Sequence, residues 1–104
     1  MGERFYAAGD YDSAEACYLR VASLRPGDAD PLFSLGLVHY ARWEPEKAVN
    51  RLRESLALDP DHGHAHFLLG RILRAIGDEG WRTCADQLDR LGKKHWAMGL
   101  REAS

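Results

Sequence analysis

At 104 residues, with 45% hydrophobic and 29% charged residues, the chain has the balance of one small globular domain, which excludes wholesale disorder. A formal net charge of −2 excludes the basic stripe that nucleic acid demands, and the five Lys or Arg between Arg82 and Arg101 read as a solvated helix face. Two cysteines, Cys17 and Cys84, are too few for a disulfide framework and read as small buried hydrophobes.

The predicted elements are all helices. A short one at about 2–8 ends at Gly9, and GDYDSAEACY opens the next, at about 12–24, where Ala14 permits close packing while Tyr11 and Tyr18 fill the space beyond. After Pro26, Asp28 or Asp30 caps a helix at about 29–42, with Pro31 in the first turn, where a missing N–H is tolerated. Leu32, Leu35, Gly36 and His39 follow the i, i+3, i+4, i+7 spacing of one helical stripe. Gly36 leaves room for a second helix, at about 45–58, which faces it with Ala48. Pro60 closes that helix as Pro26 closes the one at about 12–24. A helix at about 63–76 carries Leu69-Gly70, and helices at about 80–91 and 94–102 finish the chain.

One offset runs through these elements. Gly2, Gly36 and Gly70 are 34 apart, as are Ala7, Ala41 and Ala75, and so are the acids Asp10, Glu44 and Asp78. Pro26 and Pro60, Ala14 and Ala48, Leu35 and Leu69, and Phe33 and Phe67 keep the same distance. The pattern resembles the tetratricopeptide repeat, with Leu32, Leu35-Gly36, His39, Ala48, Leu52 and Pro60 as its best unit. The resemblance implies an all-α, short α-solenoid of antiparallel helix pairs with a C-terminal capping helix, in one domain over 1–104. Its repeats fall at about 2–28, 29–62 and 63–92, the first truncated, followed by a tail helix at about 93–104.

The third unit departs from the pattern, because Arg82 and Asp86 stand at its small and aromatic sites in strict register. A shift of two residues instead places Cys84, Leu88 and Leu91 at i, i+4, i+7, with Trp81 one turn earlier, and predicts a late start or a bulge at Gly80. Trp96 and Leu100, spaced by four, then cover the last open face as a terminal cap. Trp81, Cys84, Leu88 and Leu91 also fit a dimer face, since their spacing alternates three and four, although Gly92 and Gly99 break any long seam helix.

The stretch Asp59-Pro60-Asp61-His62-Gly63-His64-Ala65-His66 collects metal-ligand types at a turn and a helix start. On a helix His64 and His66 point about 200° apart, and the acids fail the calcium-loop pattern, so no metal or other cofactor is expected. No nucleophile elbow, phosphate-cradling loop or paired-His motif appears, so the chain is expected not to be an enzyme. Pro31 to Ala41, the longest mostly apolar run, is too short for a membrane span, and MGERFYAAGD lacks a secretory core. Both point to a cytoplasmic address if Met1 is the natural start.

What remains is surface. By position, the resemblance implies a partner-binding groove formed by Tyr6 in the first unit, Phe33, Leu37 and Tyr40 in the second, and Phe67, Arg71 and Arg74 in the third. Aromatics and arginines are the types enriched at binding hot spots. The family's carboxylate clamp relies on Lys and Asn, whereas Phe33, Leu37, Phe67 and Arg71 hold those places here. The implied partner is a protein or peptide segment with apolar and acidic side chains, and not nucleic acid or membrane. The alternative is a self-associating or secretion-chaperone-like unit, including a homodimer, in which an open repeat end pairs with another copy.

Overall fold

A computed structural model describes residues 9–102, so the expected first helix and Tyr6 lie outside the described residues. Six helices follow in order: α1 (Tyr11–Leu24), α2 (Ala29–Ala41), α3 (Pro45–Leu58), α4 (Gly63–Ala75), α5 (Trp81–Arg90) and α6 (Lys94–Glu102). Among the described residues there is no strand. Consecutive helices pack as antiparallel pairs, as the sequence predicts.

Local chemistry starts each helix. Asp10 accepts from the Ser13 N–H at 3.2 Å ahead of α1, and Asp28 accepts from the Asp30 N–H at 3.0 Å ahead of α2. Pro45 occupies the first turn of α3, where its missing N–H costs nothing. At α4 a histidine does the work of a carboxylate, because His62 Nδ1 accepts from the Ala65 N–H at 3.1 Å. α1 and α3 end at Leu24 and Leu58, each two residues before its proline.

The core forms two clusters. The smaller joins Ala14 and Tyr18 of α1 to Leu35 and Val38 of α2. The larger runs from Ala48, Val49 and Leu52 of α3, through Leu69, Ile72 and Leu73 of α4, to Leu88 of α5 and Leu100 of α6. Two glycines set the closest approaches. A Cβ on Gly36 would lie 2.9 Å from the Leu52 side chain and 3.6 Å from the Ala48 carbonyl, and one on Gly70 would lie 2.6 Å from Leu100 Cδ1 and 3.1 Å from Cys84 Cβ. A buried hydroxyl adds a polar tie, since Ser55 Oγ of α3 donates to the Ala29 carbonyl at 2.9 Å.

The two-residue shift in the third unit is real. α3 begins at Pro45 and α5 at Trp81, 36 residues on, after a turn in which Asp78 accepts from the Gly80 N–H at 2.7 Å. The buried trio Ala48, Val49 and Leu52 therefore maps onto Cys84, Ala85 and Leu88, while Arg82 and Asp86 are exposed. The helix starts late, and no bulge is needed. α6 packs against both α4 and α5 and buries Ala97 and Leu100, so the tail caps the stack.

That packing places the residues of the expected dimer face within one chain. Cys84 and Leu88 are 4% and 0% exposed, inside the larger cluster, while Trp81 and Leu91 are half-buried. An alternation of threes and fours arises from any helix seam, and here α4 and α6 of the same chain supply the other side.

Candidate functional site

The residues expected to form the groove on α2 and α4 stand in two matched rows. Phe33, Leu37 and Tyr40 line one face of α2 at i, i+4, i+7, each half-buried and packed against the larger core cluster. One repeat later the same positions are Phe67, Arg71 and Arg74 on α4. The first row is wholly apolar apart from a phenol, and the second becomes cationic after its first residue. Arg71 is exposed, with its guanidinium 5.8 Å from the Phe67 ring centroid, and Arg74 lies 4.3 Å over the Trp81 ring. Among the described residues no carboxylate pairs with Arg71.

Rings link the rows at the starts of α2, α4 and α6. Phe33 lies 4.9 Å from the His62 ring and 6.1 Å from that of His64. His64 meets Trp96 edge-on at 4.8 Å, and Trp96 lies 5.5 Å from Phe67, with the Lys93 ammonium 5.3 Å from its ring. The structure thus places His64, Trp96 and Lys93 beside residues of a groove expected to end at α4. A signal was there: once the tail is read as a further helix beside α4, its aromatic lands next to Phe67. Tyr6, the remaining groove expectation, lies outside the described residues.

The three alternating histidines serve three separate ends. His62 Nε2–H donates to Asp30 at 3.2 Å, because its Nδ1 is already the acceptor of the helix cap. His66 is buried and donates from Nε2 to the Pro60 carbonyl at 2.7 Å, and His64 faces Trp96. Among the described residues, no three His, Cys, Asp or Glu side chains gather as a metal-binding group. Burial pushes the Cys84 thiol up to about 11, which keeps it protonated and unreactive.

A charged knot, unforeseen from the sequence, holds α1, α2 and the start of α3 together. His39, 3% exposed, donates from Nδ1 to Glu44 at 2.9 Å, with Glu15 3.7 Å from its other nitrogen. Arg42 bonds Glu15 at 2.8 Å and also pairs with Asp12 and Glu44. The Arg42 hydrogen bond holds the Glu15 carboxyl below its usual range, and the His39 hydrogen bond does the same for Glu44. Among the described residues no helix is long and apolar enough to cross a membrane.

The repeat is matched independently. A family model described as TPR repeat fits residues 2–42, and one described as tetratricopeptide repeat fits residues 44–79. The TPR repeat-containing protein BH2049 of Halalkalibacterium halodurans is 33% identical over 78 residues, which is 75% of this chain and 34% of that one. The chain therefore spans about a third of that relative's length. The crystal structure of MamA superposes with a TM-score of 0.77 at 20% identity, over 98% of this chain and 71% of MamA, a likeness of fold. With its 34-residue period, paired helices and glycine-mediated approaches, the chain belongs to the tetratricopeptide repeat family, whose units build protein–protein interaction modules.

Proposed function

We propose that the face shared by α2, α4 and α6 is the docking groove, and that it receives an extended or helical segment of a partner protein carrying apolar and acidic side chains. One observation carries the reading: the same three repeat positions are Phe33, Leu37 and Tyr40 on one helix but Phe67, Arg71 and Arg74 on the next. A segment lying between the rows meets aromatic and aliphatic surface on one side and guanidinium groups on the other. Phe67 to Arg74 spans roughly 10 Å along α4, which an extended chain covers in about three residues. The module acts by binding, without catalysis, cofactor or nucleic acid, in a cytoplasmic setting.

The test is a peptide selection. Random peptides displayed on phage are selected on the full chain, and the strongest are synthesised. Their affinities are then measured by fluorescence anisotropy against the wild type and against Arg71→Glu combined with Arg74→Glu. Acidic peptides losing about tenfold or more in affinity are the expected result. Peptides without acids, or affinities that ignore the double reversal, overturn the role given to charge.

A further inference from the structure

Trp43 holds a backbone conformation that its neighbours in the repeat reserve for glycine. Its φ is 54°, and Gly9 and Gly77, 34 residues to either side, have φ of 80° and 78°. The turn leaves the chain no choice there. The Trp43 N–H donates to the Tyr40 carbonyl at 2.9 Å and the Glu44 N–H to the His39 carbonyl at 2.8 Å, which closes the end of α2. Glycine enters the left-handed region without penalty, but a residue with a Cβ does not, and a bulky one is a genuine outlier. Among the described residues, Trp43 is the one non-glycine with positive φ.

Among the described residues, little offsets that cost. The indole is 54% exposed and belongs to neither core cluster. Its ring meets Tyr40 edge-on, with centroids 6.2 Å apart and planes at 66°. Tyr40 is the last residue of the apolar groove row, so Trp43 extends that row past the end of the helix. A bulky residue kept where the turn favours glycine points to function, and Trp and Tyr are among the residue types most enriched at binding hot spots.

We propose that Trp43 is a fourth anchor of the apolar row, and that with Tyr40 it forms a corner for an aliphatic or aromatic side chain of the partner segment. The inference rests on the docking reading above and names a residue outside the predicted groove. The occupant is the same acid-bearing segment, for two electrostatic reasons. Arg71 and Arg74 attract its carboxylates from the adjacent helix, and Glu44 and Glu15, the acids of the charged knot beside the Trp43 turn, repel them less because His39 and Arg42 bind them.

The experiment uses Trp43→Gly and Trp43→Phe in the full chain, with the peptides selected on the wild type as probes. Trp43→Gly is expected to melt at a temperature equal to the wild type's or several degrees above it, since the left-handed site then holds glycine. It is expected at the same time to weaken peptide binding about tenfold or more, while Trp43→Phe recovers most of the affinity. A clear fall in melting temperature for Trp43→Gly would show the indole to be structural and overturn the inference. So would unchanged affinity for peptides that the Arg71→Glu, Arg74→Glu variant no longer holds, and in that case the docking groove itself would stand. A selection that returns no binder, or binders insensitive to every variant, overturns both.

Discussion

Gly70 and Leu100 make one of the contacts that hold the cap, and removing each side in turn measures it. Leu100 is fully buried, and its Cδ1 sits where a Cβ on Gly70 would come within 2.6 Å. Leu100→Ala deletes three carbons at about 0.8 kcal/mol each and leaves a cavity, so it should cost about 3 kcal/mol. Gly70→Ala gains about 1 kcal/mol of helix propensity but loses about 2 kcal/mol to overpacking, a net cost near 1 kcal/mol. If the two acted independently, the double variant would lose about 4 kcal/mol. Instead the new methyl enters space that Leu100 has vacated, the overpacking falls away and the propensity gain remains. The double variant should lose only about 2 kcal/mol, a coupling of about 2 kcal/mol. Cys84 Cβ, 3.1 Å from the same point, retains part of the overpacking and so makes this coupling an upper value. Urea denaturation followed by circular dichroism gives all four stabilities, with each kcal/mol worth roughly 4–8 °C in a parallel thermal scan. Additivity to within about 0.5 kcal/mol would refute the packing of α6 against Gly70.

Two further outcomes follow from the electrostatics. Glu15 and Glu44 have folded pKa values below the ordinary 4.5, so their contribution to stability is present above that value and is lost as pH falls through the lowered ones. Arg42→Met should therefore flatten the loss of stability between about pH 6 and about pH 3, read as a smaller shift of the urea midpoint; an unchanged shift would remove Arg42 as the cause. For the thiols, a Cys84 pKa raised from 9.0 to about 11 makes its thiolate about 100-fold scarcer than that of a free cysteine, on top of its burial. Ellman's reagent should titrate half-buried Cys17 in the native protein and Cys84 only after denaturation, and equal native rates would refute the placement of α5.

The architecture was legible because one period carries several signals at once. Gly36 and Gly70, Ala14 and Ala48, and the two closing prolines each repeat a packing or chain-breaking role, so the helix pairs follow from their spacing. The late start of α5 was legible for the same reason: Cys84 and Leu88 restore an apolar stripe that Arg82 and Asp86 would break. Contacts between helices with no shared period were not legible. The bond from Ser55 to the Ala29 carbonyl and the pairing of Arg42 with Glu15 join residues 26 and 27 apart, and each depends on the rotation of one helix about its axis relative to another. Likewise, three-and-four spacing marks a seam but not its partner, so the stripe on α5 fits a terminal cap and also a dimer face, and its packing against α4 and α6 is seen only in three dimensions. Trp43 belongs to a third kind. The glycines 34 residues to either side mark its backbone state in the sequence itself, but a repeat search weighs positions that match, and this one differs. In a repeat protein the shared positions build the scaffold, so individuality can reside only where the period is broken. Arg71, Arg74 and Trp43 are such breaks, and all three lie on or beside the same face. That convergence, more than the exposure of any one of them, is the physical case for reading the face as the part of this chain that distinguishes partners.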